Sequence, residues 1–228
     1  MNDLAQNLIE ELQCETVFTI PILGGIPVSE AVVVTCIIMA VLVVVSFILT
    51  RNLKVDHISK RQAVAESIVT GLMKMVQGMV GEKGKAYVPY LTTVMLYIGV
   101  SNIIGLFGFK SPTKDLRVTV ALALMSIILI EAAGIYHKGV KRWLHGFVEP
   151  VAIVTPINIL EVVTKPLSLC MRLFGNVLGA FVIMELLKMI LPVGLPVVFS
   201  LYFDIFDGLL QAYVFVFLTS LYIDEITE

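Results

Sequence analysis

Arg172 lies inside an apolar run, Pro166-Leu-Ser-Leu-Cys-Met-Arg-Leu-Phe-Gly-Asn176. A guanidinium stays protonated at every physiological pH, so this charge cannot be neutralised to suit a nonpolar setting. At 100° per residue, Glu161 and Lys165 each fall within about 20° of Arg172 on a helix, with Asn158, Ser168 and Asn176 flanking that side. Glu185 follows Arg172 by roughly 20 Å of helix and about 220° of rotation, so it is not its ion-pair partner. In the next segment Asp204, Asp207 and Gln211 recur at i, i+3 and i+7 and form one polar face. A hairpin of the two helices brings Gln211 toward the depth of Arg172, and Glu185 toward Asp204 and Asp207. Glu161 lies in the opposite half, with Asp224 and Glu225 at the exit. Carboxyl groups take up and release protons or bind cations, whereas arginine does neither. The chemistry this pattern allows is ion transfer along two polar routes separated by a permanent positive charge.

A structural reading competes with it, because buried polar residues also hold membrane helices together by hydrogen bonds. For Asn158, Ser168 and Gln211 taken alone the two readings stay level. Arg172 is different: an uncharged residue would do structural work at lower cost, and an ionisable group inside a membrane helix marks function.

The elements that must position these groups are apolar. Of 228 residues, 58% are hydrophobic and 15% charged, where a soluble domain carries about a quarter charged. The fold class this implies is an all-α polytopic membrane protein, one membrane domain over 1–228. An external N-terminal segment (1–28) precedes a first crossing at 29–50. A helical hairpin at 86–109 and 115–137 follows, then a long hairpin at 150–190 and 196–225, turned by Leu191-Pro-Val-Gly-Leu-Pro196. Glu131 interrupts the third crossing near its cytoplasmic end. Residues 59–80 mix Lys60, Arg61, Glu66 and Lys74 with Val64, Ile68, Leu72, Met75 and Met79 at helical spacing, which fits an amphipathic helix lying in the cytoplasmic interface.

Lys and Arg counts orient the chain. Residues 1–50 have none, 51–85 have seven, 110–117 three and 138–142 three. With 51–85 and 138–142 in the cytoplasm, the N-terminus and its Glu10, Glu11 and Glu15 lie outside, and five crossings return the C-terminus to the cytoplasm. The N-terminus lacks the basic region of a cleaved signal peptide. His57, His137 and His145 sit in or beside basic loops and read as solvated. Trp143 with Lys141 and Arg142 reads as an interface belt, and Lys188 as an interface anchor. Cys14, Cys36 and Cys170 show neither metal-type spacing nor a disulfide framework. No catalytic residue, cofactor site, metal site or nucleic-acid partner is expected, and there is no phosphate-binding Gly-x4-Gly-Lys-[Ser/Thr] loop.

The string Lys165-Pro-Leu-Ser-Leu-Cys-Met-Arg-Leu-Phe-Gly-Asn176 resembles the signature of subunit a of bacterial F-type ATP synthases. So do Gly146-Phe-Val-Glu-Pro150, Pro156-Ile-Asn-Ile-Leu-Glu161 and Gln211-Ala-Tyr-Val-Phe-Val-Phe-Leu-Thr219, in the family's order over residues 25–226. The resemblance implies a stator subunit of the membrane sector (CF(0)) in a bacterial plasma membrane. Its last two helices would lie strongly tilted against a ring of c subunits, with a b-subunit peripheral stalk and the rest of the ATP synthase as further partners. It matches Arg172 to the family's essential arginine, Gln211 to its mid-membrane glutamine and Asn176 to the asparagine of the same motif. Phe181 stands where the family places a channel glutamate, nine positions past the arginine; Glu185, one turn on, would serve the outer route from a shifted position. Asp204 stands where some members have a histidine. The cargo would be H+ or Na+, loaded through Glu185, Asp204 and Asp207 and released past Glu161. The alternative is a stand-alone secondary transporter or ion channel. That class often carries paired repeats with interrupted helices, and the sequence shows no such repeat.

Overall fold

In the computed structural model, five helical stretches are long and apolar enough to cross a membrane: Glu30–Thr50, Gly84–Phe107, Leu116–Lys138, Thr155–Lys188 and Val198–Thr227. The structure describes residues 16–20, 26–51, 59–107, 109, 111–146, 154–190 and 194–227. Glu10, Glu11, Cys14, Glu15, Lys54, His57, residues 147–150 of the glycine–proline motif and residues 191–193 of the interhelical turn lie outside them.

The chain is an all-α polytopic membrane protein, with one addition before its first crossing. Strands β1 (Thr16–Ile20) and β2 (Ile26–Ser29) pair antiparallel, Ile20 opposite Ile26 and Thr16 opposite Ser29. The segments are short and rich in Thr, Val, Ile and Phe, which suit a pleated backbone. Four or five residues give too little alternation to announce a strand in so apolar a sequence.

Helix α1 (Glu30–Thr50) starts at Ser29, whose hydroxyl donates to Asp115 Oδ2 at 2.8 Å. Asp115 also caps α4 (Leu116–Lys138), accepting from the Arg117 backbone N–H at 2.9 Å. One carboxylate therefore fixes the start of two helices far apart in sequence. Beyond this attachment α1 is largely bare, with only 11% of its most apolar window buried. Helix α2 (Lys60–Gln77) is capped by Ser59, which accepts from the Gln62 N–H. Val64 and Ile68 in its first half are exposed, while Leu72 and Val76 pack on the core.

Helix α3 (Val88–Ile103) is flanked by 3-10 turns at Glu82–Tyr87 and Ile104–Phe107. Helix α4 ends at Gly139, whose φ of +77° is a left-handed setting that glycine adopts without a side-chain clash. Short α5 (Val140–Gly146) turns away, and α6 (Thr155–Ile190) runs for 36 residues with Pro166 inside it. A 6-residue α7 (Leu195–Ser200) leads into a π-helical segment, Leu201–Asp207, and then into α8 (Gly208–Thr227).

The core lies where α3, α4, α6 and α8 meet, around Leu91, Ile98, Ile130, Leu169, Leu173, Phe215, Val216 and Ile223. Helices α3 and α8 approach closely because small residues face each other: Gly99 meets Leu209 and Ala212, and Gly208 sits on Asn102. Without water to drive apolar burial between helices, such close backbone approach is the main source of packing energy in a membrane.

Candidate functional site

Two polar cavities open at opposite ends of the helical body. The first, about 330 Å³, is lined by Asn102 at the end of α3, by Lys114 just before α4, and by Asn176, Phe181, Glu185 and Lys188 in the second half of α6. The π segment and the start of α8 add Asp204, Asp207, Gly208 and Gln211. The second, about 420 Å³, is lined by Glu131 and Lys138 near the end of α4, by Trp143, by Asn158, Glu161 and Lys165 in the first half of α6, and by Glu225 near the end of α8. Helix α4 connects the two levels, and its 23 residues span about 35 Å.

The first cavity assembles five of the polar residues singled out in the sequence: Asn176, Glu185, Asp204, Asp207 and Gln211. Asn176 Nδ2 donates to Asp207 Oδ2, joining α6 to the π segment. Glu185 pairs with Lys188 one turn on, Nζ to Oε1 at 2.6 Å, so Lys188 is an ion-pair partner as well as a residue at the helix end. Asp204 packs against the backbone at Gly105, its carboxylate 3.2 Å from where a Cβ would stand. Gln211 is buried, and its Oε1 has no hydrogen-bond partner among the described residues. An orphaned acceptor facing a polar cavity is a site for water or for a group from another molecule.

The polar face of the last helix is not the regular one that 100° per residue implies. The π segment widens the backbone over Leu201–Asp207, so Asp204 and Asp207 sit on a broader turn than Gln211. Single π turns inside α-helices recur at functional sites. A buried strap fixes this one. Asn102 Nδ2 donates to the Gly208 carbonyl at 2.9 Å, and Thr113 Oγ1 donates to Asn102 Oδ1 at 2.7 Å. Ser111 continues the strap: its hydroxyl lies 2.7 Å from Thr113 Oγ1 and 2.8 Å from the Ser101 carbonyl, and its one proton serves either acceptor. Asn102, Ser111 and Thr113 escape a charge-based search because they are uncharged and lie in segments whose apolar pattern dominates. Lys114 also escapes it, since a loop lysine reads as an orientation signal.

In the second cavity Lys165 Nζ reaches Glu225 Oε2 at 3.1 Å and Glu161 Oε2 at 3.8 Å. The alignment of Glu161 and Lys165 along one side of α6 is therefore a real i,i+4 pair, tied to the end of α8. Glu131 accepts from Trp143 Nε1 at 2.9 Å, so neither is a loose interface residue. Arg172 lines neither cavity. It lies on α6 between Lys165 of the second cavity, about 10 Å of helix away, and Asn176 of the first, about 6 Å away. Its side chain is exposed and makes no hydrogen bond or ion pair among the described residues. A guanidinium carries five donors, and none of the five is used among the described residues.

A family model described as ATP synthase A chain matches residues 32–224. The chain is 34% identical to an ATP synthase subunit a of Moorella thermoacetica over 203 residues, covering 88% of this chain and 92% of the relative. It is 34% identical to the sodium ion specific ATP synthase subunit a of Propionigenium modestum, covering 87% of this chain and 74% of that one. It is 30% identical to ATP synthase subunit a 1 of Crocosphaera subtropica, covering 86% and 85%.

Proposed function

The chain belongs to the ATP synthase A chain family, and we propose that it is the ion-translocating stator subunit of the membrane sector, with Arg172 as the barrier between two offset half-routes. The observation that carries this reading is the placement of the two cavities: they lie at opposite ends of the helical body, and between them on α6 stands an exposed arginine without a partner among the described residues. In the orientation set by the basic loops, the N-terminus is outside, the first cavity faces the outside and the second faces the cytoplasm. The α6–α8 hairpin leans against a c-subunit ring, and the b-subunit stalk anchors the chain against rotation.

Electrostatics then gives the direction of each step. An ion enters past Glu185, Asp204 and Asp207, crosses beside Asn176 and Gln211, and loads a carboxylate on the ring. The loaded carboxylate is neutral and travels through lipid; ionised, it would be far too costly there. Next to Arg172 the charged form is favoured, so the carboxylate gives up its ion toward the cavity of Glu161, Lys165 and Glu225. The fixed guanidinium repels any cation moving directly from one cavity to the other. Rotation of the ring carries the energy to the nucleotide-binding part of the complex, so this chain is non-catalytic by itself. One relative is named as sodium ion specific, and the cargo of this family role is H+ or Na+. A stand-alone transporter is not favoured, because a guanidinium aimed out of the chain serves a partner better than a solute held within it.

The test is Arg172→Ala in the assembled complex, reconstituted in vesicles. Ion-driven ATP synthesis is expected to fall to background while the complex still purifies with its ring and soluble subunits. Normal coupled synthesis by Arg172→Ala overturns the proposal.

A further inference from the structure

The first cavity contains a charge that the proposed route does not use. Lys114 is 8% exposed, although it sits in the short turn Pro112–Lys114 from which a long side chain could reach solvent. Its Nζ instead lies 3.1 Å from the centroid of the Phe181 ring. A lysine ammonium is a compact, strongly hydrated charge, and the face of an aromatic ring is one of the few apolar surfaces that stabilises it. The pairing of Lys114 with Phe181 is thus a built seat for a cation inside the polar cavity, on the wall that also carries Glu185.

The charges around this seat come from three elements. Helix α6 supplies Glu185 and Lys188, which neutralise each other at 2.6 Å. The π segment supplies Asp204 and Asp207, the latter accepting a hydrogen bond from Asn176. The turn before α4 supplies Lys114. The carboxylates of the π segment therefore work in a small cavity already occupied by one tethered cation.

We propose that Lys114, seated on Phe181, is a specificity-determining residue of this route: its ammonium stands in for a metal cation among the carboxylates and makes the route carry H+ in preference to Na+. The inference rests on the ion-translocating reading above and names the cargo of that same site. A proton needs only one carboxylate or water at a time and moves by short transfers. A sodium ion must be stripped of water by several oxygens at once, in a place of net negative charge. Lys114 adds one positive charge to that cavity and so lowers its pull on a metal cation. As a scale, a unit charge at about 8 Å and an effective dielectric constant of about 20 changes the occupancy of a metal cation roughly thirtyfold, and less at longer range. The same charge speeds proton release from a carboxyl group, so H+ passage survives it.

The test uses the whole complex in vesicles, with ATP-driven H+ pumping measured in choline medium and in Na+ medium of equal ionic strength. The parent complex is expected to pump equally in both. Lys114→Met is expected to pump H+ in choline but to be slowed severalfold by Na+, and Lys114→Arg, which keeps charge and ring contact, to remain insensitive. Phe181→Leu, which leaves the amine but removes its seat, is expected to give intermediate inhibition, and it carries the test if Lys114→Met does not assemble. Equal pumping of Lys114→Met in the two media, or of Phe181→Leu where that variant carries the test, overturns the proposal, as does a parent complex that transports Na+. A parent complex that moves no ion on ATP hydrolysis overturns the stator reading itself, and this inference with it.

Discussion

Gly208→Ala is the sharpest test of whether the strap at the π segment sets the position of the ion-binding side chains. A Cβ added at Gly208 would lie 2.7 Å from Asn102 Cβ, a backbone-proximal atom that no rotamer change can move aside. Ordinary contact begins near 3.4 Å, so about 0.7 Å must open between α3 and the start of α8. Opened along the Asn102–Gly208 hydrogen bond, that gap takes the 2.9 Å contact to roughly 3.6 Å, beyond a real bond. Overpacking of this size costs about 1–3 kcal/mol, and the lost bond about 1 kcal/mol more. The bundle tolerates this, but Asp207 and Gln211, on either side of Gly208, shift by most of an ångström. Misplacement on that scale costs on the order of a hundredfold where groups must be held in register. The control is Gly99→Ala in the same α3–α8 interface. There the new methyl would meet Leu209 Cδ2 at 3.5 Å and Ala212 Cβ at 4.0 Å, ordinary contacts, and helix propensity favours alanine by about 0.5–1 kcal/mol. ATP-driven pumping per assembled complex, normalised to immunodetected subunit, is expected to drop at least tenfold for Gly208→Ala and to stay near the parent for Gly99→Ala. Equal pumping by both variants, or equal loss in both, refutes the reasoning.

Three further outcomes follow from the same geometry. Glu185→Gln and Asp204→Asn should each slow ion entry while leaving the complex assembled, measured as passive ion conductance of the membrane sector; unchanged conductance in both would place the outer route elsewhere. Asn102→Ala removes the donor to the Gly208 carbonyl and the acceptor for Thr113, and about 1–3 kcal/mol should be lost for each buried group left unpaired, read as a lower melting temperature of the detergent-purified complex. Asn102→Asp, which sets a carboxylate oxygen against the Gly208 carbonyl and buries a charge, should melt lower than Asn102→Ala in the same measurement.

The sequence made the charged residues visible and left their arrangement dark. Arg172 stands out because a fixed charge in an apolar run has no cheap structural explanation. Asp204, Asp207 and Gln211 stand out by spacing, and the meeting of Glu185 with Asp204 and Asp207 follows from folding two adjacent helices back on each other. The π turn has no periodic signature, since one widened turn within a long apolar stretch changes no residue type. The Asn102–Thr113–Ser111 strap is hidden because hydrogen-bond networks of uncharged residues depend on which loops meet, a property of the packed state. Lys114 shows the limit most clearly. A lysine between two crossings is ordinarily a loop residue, and only the approach of α6, which brings Phe181 over the turn, makes it part of a cavity.

The distribution of satisfied and unsatisfied groups argues where the missing partner must bind. Around the first cavity almost every charge is answered within the chain: Glu185 by Lys188, Asp207 by Asn176, and the Gly208 carbonyl by Asn102. Around the second, Lys165 answers Glu225 and Glu161, and Trp143 answers Glu131. Among the described residues the hairpin keeps two groups without a partner, the Gln211 Oε1 atom and the Arg172 guanidinium, one on each helix, while the other unpaired buried hydroxyls, of Tyr90, Ser101 and Ser126, lie on α3 and α4. A buried acceptor without a partner costs about 1–3 kcal/mol, and an exposed guanidinium at membrane depth costs more. In the stator reading, one visiting group that meets both would remove the two deficits together. A carboxyl group does so: ionised, it accepts from Arg172, and protonated, it donates to Gln211. On the proposed function, the same pair of residues would then recognise both states of the group that passes between the two routes.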